Sequence, residues 1–288
     1  MLSRLNKLVT GAARRASLYQ LGLLGPKLRA QVLEQAVEET VSVTEVPKGR
    51  ILFFAPATKL LFRAETVMSK ETDTIQWIDG FTDEGVFWDI GANAGVYSLY
   101  AGVSKRVRVL SFEPSAANFH ALSKNIQLNQ LSDRVTAYCV ALSGETKLGV
   151  LNMSSSLMGA SISQFGQLGE MSRYWEGYSG AAFQGMIGFS IDDFVKQFNP
   201  PFPNYIKIDV DGLELPILMG AQTTLRDPRL RSLIVELSVS DKEEYAQSLA
   251  FLEDAGFSLV SQGGTQGTQT ERAANHLLEK VVPPTLNG

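Results

Sequence analysis

One cysteine, two histidines and no long apolar run are spread over the 288 residues of this chain. With Cys139 alone, no disulfide can close within the chain, and a reducing compartment fits that usage. Cys139 lies in the apolar run VTAYCVALS, where the sequence predicts a buried side chain on a strand rather than a nucleophile. No stretch approaches the roughly 18 apolar residues of a membrane-spanning helix. Positive charge is not in excess: 26 Lys and Arg against 30 Asp and Glu leave a net charge of −4, so a general electrostatic drive toward nucleic acid is missing. Neither histidine has a metal-ligand neighbour at the usual spacing, and no metal ligand is assigned. No internal repeat is visible.

Acidic residues are missing from one place. Residues 1–33 hold Arg4, Lys7, Arg14, Arg15, Lys27 and Arg29 without an Asp or Glu, and Leu2, Leu5, Leu8 and Val9 recur at helical spacing. Two readings stay open, a peripheral contact with an anionic membrane surface and a solvated N-terminus. Gln20 interrupts the apolar run and no small-x-small site follows, which argues against export and for a cytoplasmic protein.

A core of ordinary size is affordable, since 44% of the residues are hydrophobic. From Val86 onward, β-type runs (VFWDI, VRVLSFE, VTAYCVAL, YIKIDV, SLIVELS) alternate with helical patterns such as 115–130, with Ser115 as its cap, and 214–226. That alternation predicts an α/β fold built on a mostly parallel, Rossmann-like sheet with ligands at the carboxyl ends of the strands. Before it, 51–68 suggests one or two strands leading into a short helix over ETDTIQWIDGF. The end of the chain predicts an antiparallel hairpin closing the sheet. The expected division is an extension over 1–50, a main domain over 51–282 and a tail over 283–288. Residues 152–190 are heavy in Gly and Ser but carry Tyr174, Trp175, Tyr178 and Phe183. So long a connection predicts a loop with a function, either a lid over an acceptor or an oligomer contact.

The most informative stretch is VFWDIGANAGVYSLYAG, residues 86–102. A strand, a glycine turn and a helix make a general nucleotide-binding start. Yet Asn93 and Val96 stand where a dinucleotide fingerprint wants glycines, and Asp89 at the strand end would repel a pyrophosphate. A carboxylate there suits a ligand with positive charge, an ammonium or sulfonium. S-adenosyl-L-methionine carries both and no phosphate. Glu113 closes the next strand, 22 positions after Gly91, where a carboxylate can accept hydrogen bonds from ribose hydroxyls.

Taken together, FWDIGANAGVYSLYA, SFEPSAANFHALSKNIQLN, VALSGET, SIDDFV, IKIDVDGLELPILMGA and LIVELS resemble the FkbM-type S-adenosylmethionine-dependent methyltransferases over about residues 50–282. The resemblance implies a class I methyltransferase fold with a seven-stranded sheet, and O-methylation of a hydroxyl on a sugar, glycan or natural-product scaffold. It implies cofactor contacts at Asp89, Gly91, Asn93, Gly95, Glu113 and Pro114, with Val140, Ala141 and Leu142 beside the adenine. Where the family has DVEG, this chain has Asp209-Val210-Asp211-Gly212, which shortens the reach at 211.

For the chemistry, Lys207 and Asp209 alternate with Ile206 and Ile208 and so share one face of a strand. Asp211, Glu214 and Glu236 fall at or just beyond strand ends in the same region. The cluster suits a general base for a hydroxyl, with Asp209 the first candidate. A divalent cation, and a purely structural role for the Asp211-Gly212 turn and Glu214, remain open beside it. His276, at the start of the last strand, is a second candidate base, while His120 reads as helix packing. The acceptor is read as a sugar, a glycan, or a small molecule such as a lipid or natural product. A non-catalytic protein that keeps the cofactor fold to bind partners is the reading from another class.

Overall fold

The computed structural model describes residues 19–168, 182–263 and 273–281. The chain divides into two units, residues 1–41 and 42–288. In the first, helix α1 (Pro26–Glu38) starts on a proline, whose fixed φ suits a first helical position. It buries none of its side chains, and Leu28, Val32, Leu33 and Val37 are exposed. The basic stretch at Leu2–Val9 lies outside the described residues. Among the described residues no helix is long and apolar enough to cross a membrane.

The second unit opens within strand β1 (Val41–Val46), which pairs with β2 (Gly49–Phe54) in a two-stranded sheet. The division therefore falls before residue 50, because Val46, Ile51 and Phe53 already belong to the core. Helices α2 (Thr58–Glu65) and α3 (Thr72–Asp79) follow. The first of these takes a segment that reads as strand from its apolar content.

The main sheet alternates strands and helices: β3 (Val86–Ile90), α4 (Val96–Ser104), β4 (Arg108–Phe112), α5 (Ala116–Leu128) and β5 (Val135–Tyr138). Three further strands, β6 (Ala141–Leu142), β7 (Lys147–Met153) and β8 (Ser163–Gly166), leave it, and β9 (Ala182–Phe189) joins them in a second sheet of order β6-β9-β7-β8. The chain returns through α6 (Ile191–Phe198), β10 (Tyr205–Ile208), α7 (Glu214–Met219), α8 (Gln222–Arg226), β11 (Ser232–Ser238), α9 (Lys242–Asp254), β12 (Phe257–Gly263) and β13 (Ala273–Lys280). The main sheet has seven strands in the order β12-β13-β11-β10-β3-β4-β5. β11, β10, β3, β4 and β5 are parallel, and β13 runs antiparallel between β11 and β12. This is the expected class I methyltransferase arrangement, closed by the C-terminal hairpin.

Strand parity builds the core. Phe87, Val109, Tyr205 and Ile234 point to one face, against Trp77 of α3, Leu99 of α4 and Leu122 of α5. Trp88, Leu110, Ile206 and Val235 point to the other, against Phe194 of α6, Ile217 of α7 and Leu252 of α9. Both faces are covered, which is why β3 and β10 are apolar throughout apart from Asp89 and Lys207.

Four expectations need correcting. VTAYCVAL is not one strand: it breaks after Tyr138, β6 changes sheets, and Cys139 at the break is exposed. Residues 214–226 form two short helices interrupted at Gly220. Ser115 occupies the cap position of α5, but its side chain makes no capping bond; the Glu113 carboxylate takes the Ser115 amide instead. Much of 152–190 is sheet rather than loop. One glycine of that stretch makes room for Phe165: a β-carbon at Gly188 would overlap its ring, as one at Gly149, on the neighbouring strand β7, would crowd it. Tyr174, Trp175 and Tyr178, the aromatics of the expected lid, lie outside the described residues.

Candidate active site at the carboxyl ends of β3, β4, β10 and β11

After β3 the backbone turns through Gly91, Asn93 and Gly95, each at positive φ. Gly91 is required by close approach, since a β-carbon there would overlap the carbonyl oxygen of Asp209 at the end of β10. At Gly95 it would overlap Leu122, so the glycine lets α5 pack on the first turn of α4. The turn is tied to β4, whose terminal carbonyl at Phe112 accepts the amides of Gly91 and Ala92. Asn93 donates its amide to Glu113 Oε2 at 2.8 Å and its side chain to the Ala160 carbonyl at 2.9 Å.

These residues wall a polar cleft of about 210 Å3, bounded by Gly91, Asn93, Glu113, Pro114, Asn118, Asp209, Asp211 and Glu236, with Arg63 and Lys70 also in its lining. An apolar slot of about 30 Å3 adjoins it past Gly91 and Pro114, lined by Ile90, Phe112, Val140, Ala141, Leu142 and Leu213. A third recess of about 40 Å3 reaches Glu71, Tyr97 and Lys207. A larger groove of about 1010 Å3 exists at the other end of the strands, around Trp77, Phe81 and Tyr205. It lies at the amino ends of β10 and β11, whereas ligands of parallel sheets bind at the carboxyl ends. The smaller cleft is therefore the site.

Asp89 is the first site residue that the structure moves. It is buried, and its Oδ2 accepts the Ser98 amide at 3.1 Å and the Ser98 hydroxyl at 2.6 Å. A carboxylate at the start of α4 is favoured there by the helix dipole. It does not line the cleft; the carboxylates that could face a cationic cofactor there are Glu113, Asp209 and Asp211. Burial raises the Asp89 carboxyl, against the pull of Lys207 and the Ser98 bonds.

Glu113 is buried and holds the Asn93 and Ser115 amides on its two oxygens, both at 2.8 Å. Burial pushes it up to about 7, opposed by those amide bonds. Lys207 is buried between Asp209, whose Oδ2 lies 2.6 Å from Nζ, and Glu71 at 3.7 Å; the ring of Tyr97 lies below it. Burial would lower this ammonium, but Asp209, Glu71 and Asp89 raise it, so it stays charged. Burial would raise Asp209, yet Lys207, with Lys70 and Arg63 further out, brings it down to about 2. A carboxylate held that low is a weak proton acceptor.

The shared face expected for Lys207 and Asp209 is thus an ion pair. Asp211, at φ 60 in the turn, accepts the amides of Ile162 and Ser163 on Oδ2 and so ties the second sheet to the end of β10. Glu214 accepts the amides of Val210 and Gly212. Among the described residues, no group of three or more His, Cys, Asp or Glu side chains is placed to hold a metal ion.

His276 does not reach the site. It pairs with Val235, which pairs with Ile208, so all three point to the face opposite Lys207, Ile234 and Leu277. Its ring is fully buried, hydrogen-bonded to Tyr245 and the Ala274 carbonyl, and burial lowers its pKa. A one-residue change of parity decides this. Conversely, Arg63, Lys70 and Glu71 were not legible as site residues. They come from the α2–α3 segment, which carries no motif and reaches the cleft only through packing. Asn118 was hidden in the same way, as a polar residue in a helix.

The residues present suit a nucleoside bearing a sulfonium. The slot at Ala141 is lined by apolar side chains, as a purine would require, the Glu113 carboxylate borders the adjoining cleft, and the cleft carboxylates favour positive charge. S-adenosylmethionine brings a methyl group activated by the positive sulfur.

The chain matches the methyltransferase FkbM domain over residues 89–259. It is 27% identical over 201 residues to the hexuronic acid methyltransferase AglP of Haloferax volcanii, covering 70% of this chain and 77% of that one. It is also 27% identical over 189 residues to Methyltransferase 1 of Beauveria bassiana, covering 62% of this chain and 75% of that one. Among solved structures, a rRNA methylase from Streptococcus thermophilus superposes with a TM-score of 0.46 at 9% identity, covering 74% of this chain and 97% of that one. The chain belongs to the FkbM family and is an S-adenosylmethionine-dependent methyltransferase.

Proposed function

We propose that the enzyme transfers a methyl group to a hydroxyl of a sugar or glycan-type acceptor. The observation that carries this reading is the polar cleft itself. Asp209, Asp211 and Glu236 border it beside the glycine turn, together with Arg63 and Lys70. Such a rim offers hydrogen-bond acceptors to hydroxyl groups and leaves little apolar surface for a lipid chain. The similarity to a methyltransferase of hexuronic acid supports the same acceptor class.

In this reading, Pro114 and Ala141 bound the adenine slot, and Glu113, buttressed by the Asn93 and Ser115 amides, holds the ribose. The turn at Gly91 brings the chain close to the end of β10. Lys207 fixes the Asp209 carboxylate, which orients the acceptor hydroxyl. Ordering both reactants in this way supplies much of the acceleration of a direct displacement.

The test is transfer from methyl-labelled S-adenosylmethionine to panels of neutral sugars, uronic acids and lipids, read by mass spectrometry. A label on a sugar that survives mild alkali marks a methyl ether and supports the reading. An alkali-labile label marks a methyl ester on a carboxylate, and label confined to lipids marks another acceptor class; either overturns it.

A further inference from the structure

We infer that Glu236, rather than Asp209 or His276, takes the proton from the acceptor hydroxyl. This rests on the proposal that the acceptor is a hydroxyl.

Partner accounting carries the assignment. Every other carboxylate around the cleft is engaged by the protein. Glu113 holds two amides, Asp211 holds two, Glu214 holds two, and Asp89 holds Ser98. Asp209 is bound to Lys207, and Glu71 takes Lys70, Thr74 and Asn275. Glu236 borders the same cleft, and among the described residues no protein donor bonds its carboxylate. Its position follows from register: Ile234 pairs with Lys207, and Glu236, two residues on, keeps that face one step beyond the end of β10. A half-buried carboxylate there, bordering the cleft and held by no protein donor among the described residues, is open to a group on the substrate.

The surroundings suit the task. Asp209 and Lys207 face Glu236 from β10, Glu71 from the start of α3, and Glu214 from α7. Repulsion from Asp209, then burial, raise the carboxyl well above its usual range, against the pull of Lys207. A base of that kind is better matched to a hydroxyl near neutral pH than Asp209 is. In the step, an oxygen lone pair of the acceptor forms the new O–C bond to the methyl carbon. The C–S bond breaks with its electron pair passing to sulfur, which becomes neutral. The hydroxyl proton passes to Glu236, converting it to the neutral acid that solvent later deprotonates.

The experiment compares wild type, Glu236→Gln and Glu236→Asp. Glu236→Gln is expected to bind S-adenosylmethionine within threefold of wild type by calorimetry, while kcat falls by about 10²–10⁴-fold, the range of general base help. Wild-type kcat should rise with pH along a limb that Glu236→Gln lacks and Glu236→Asp retains at lower amplitude. Independently of turnover, carboxyl NMR of the cofactor-free protein should show one glutamate, absent from Glu236→Gln, titrating well above the usual range. Turnover of Glu236→Gln within fivefold of wild type with its pH limb intact would overturn the assignment, and so would ordinary titration. An alkali-labile wild-type product overturns the hydroxyl reading itself, and the proton acceptor with it, and is told apart by the product alone.

Discussion

Replacing Lys207 by Met tests the buried charge cluster on which the site is built. The two side chains have similar length and volume, so packing in the strand is nearly kept while the charge is lost. Lys207 is 2% exposed and neutralises Asp209 at 2.6 Å and Glu71 at 3.7 Å, with Asp89 beside it on the next strand. Removing one partner of a buried pair costs roughly 3–5 kcal/mol, because the remaining charges stay desolvated. At about 2–4 °C per kcal/mol for a unit of this size, the melting temperature should fall by roughly 6–20 °C. The pH dependence carries a sign. In wild type, Lys207 depresses Asp209 to about 2, so that contribution is complete above the unfolded carboxyl pKa and is lost only as pH falls toward 2. Without the lysine, burial and mutual repulsion raise Asp209 and Glu71. The folded variant then holds protons that the unfolded chain gives up, and its stability falls as pH rises above about 4. Calorimetric melts at pH 5 and pH 8 should therefore show the larger deficit at pH 8, and adding Asp209→Asn should recover part of it. A loss under about 1 kcal/mol, equal at both pH values, would refute the reasoning.

Glu113→Ala should weaken S-adenosylmethionine binding by about 1.5–3 kcal/mol, the worth of hydrogen bonds to a charged group, as read by calorimetry. Burial holds Glu113 up to about 7, so the folded state keeps a proton that the unfolded chain has lost. Wild-type stability should fall between about pH 4.5 and 7 on that account, and Glu113→Gln should flatten this part of the pH–melting curve. Gly91→Ala places a β-carbon on the Asp209 carbonyl and should abolish cofactor binding in the same calorimeter while leaving circular dichroism of the folded fraction unchanged. Gly188→Ala should destabilise by roughly 1–3 kcal/mol through overpacking on Phe165, and Phe165→Leu in the same chain should restore part of it in denaturant melts. His276→Gln should leave kcat within about threefold in the transfer assay, since its ring lies on the far face of the sheet and general base help is worth about 10²-fold or more.

The strand–turn–helix at 86–102 was legible because its chemistry is local. A run of strand residues, glycines where the backbone takes positive φ, and a helix-forming sequence all act within a few residues of one another. Glu113 followed for the same reason, as the residue just past the end of the next parallel strand, and so did the shared face of Lys207 and Asp209, a consequence of two-residue periodicity. What needed the tertiary structure was partner choice. Sequence cannot say whether a strand-end carboxylate faces a ligand or a helix amide, and Asp89 turned to Ser98 because α4 starts directly over it. Nor can it say which face β13 presents, since that depends on the register of an antiparallel pairing with β11, and that register put His276 in the core. Gly188, within a stretch that read as mobile, proved to be room for a ring, because its neighbour Phe165 arrives from a different strand. Arg63, Lys70 and Glu71 entered the site from a motif-free segment for the same physical reason: side-chain function here is set by what packs opposite, and that is decided at distances the chain covers only when folded.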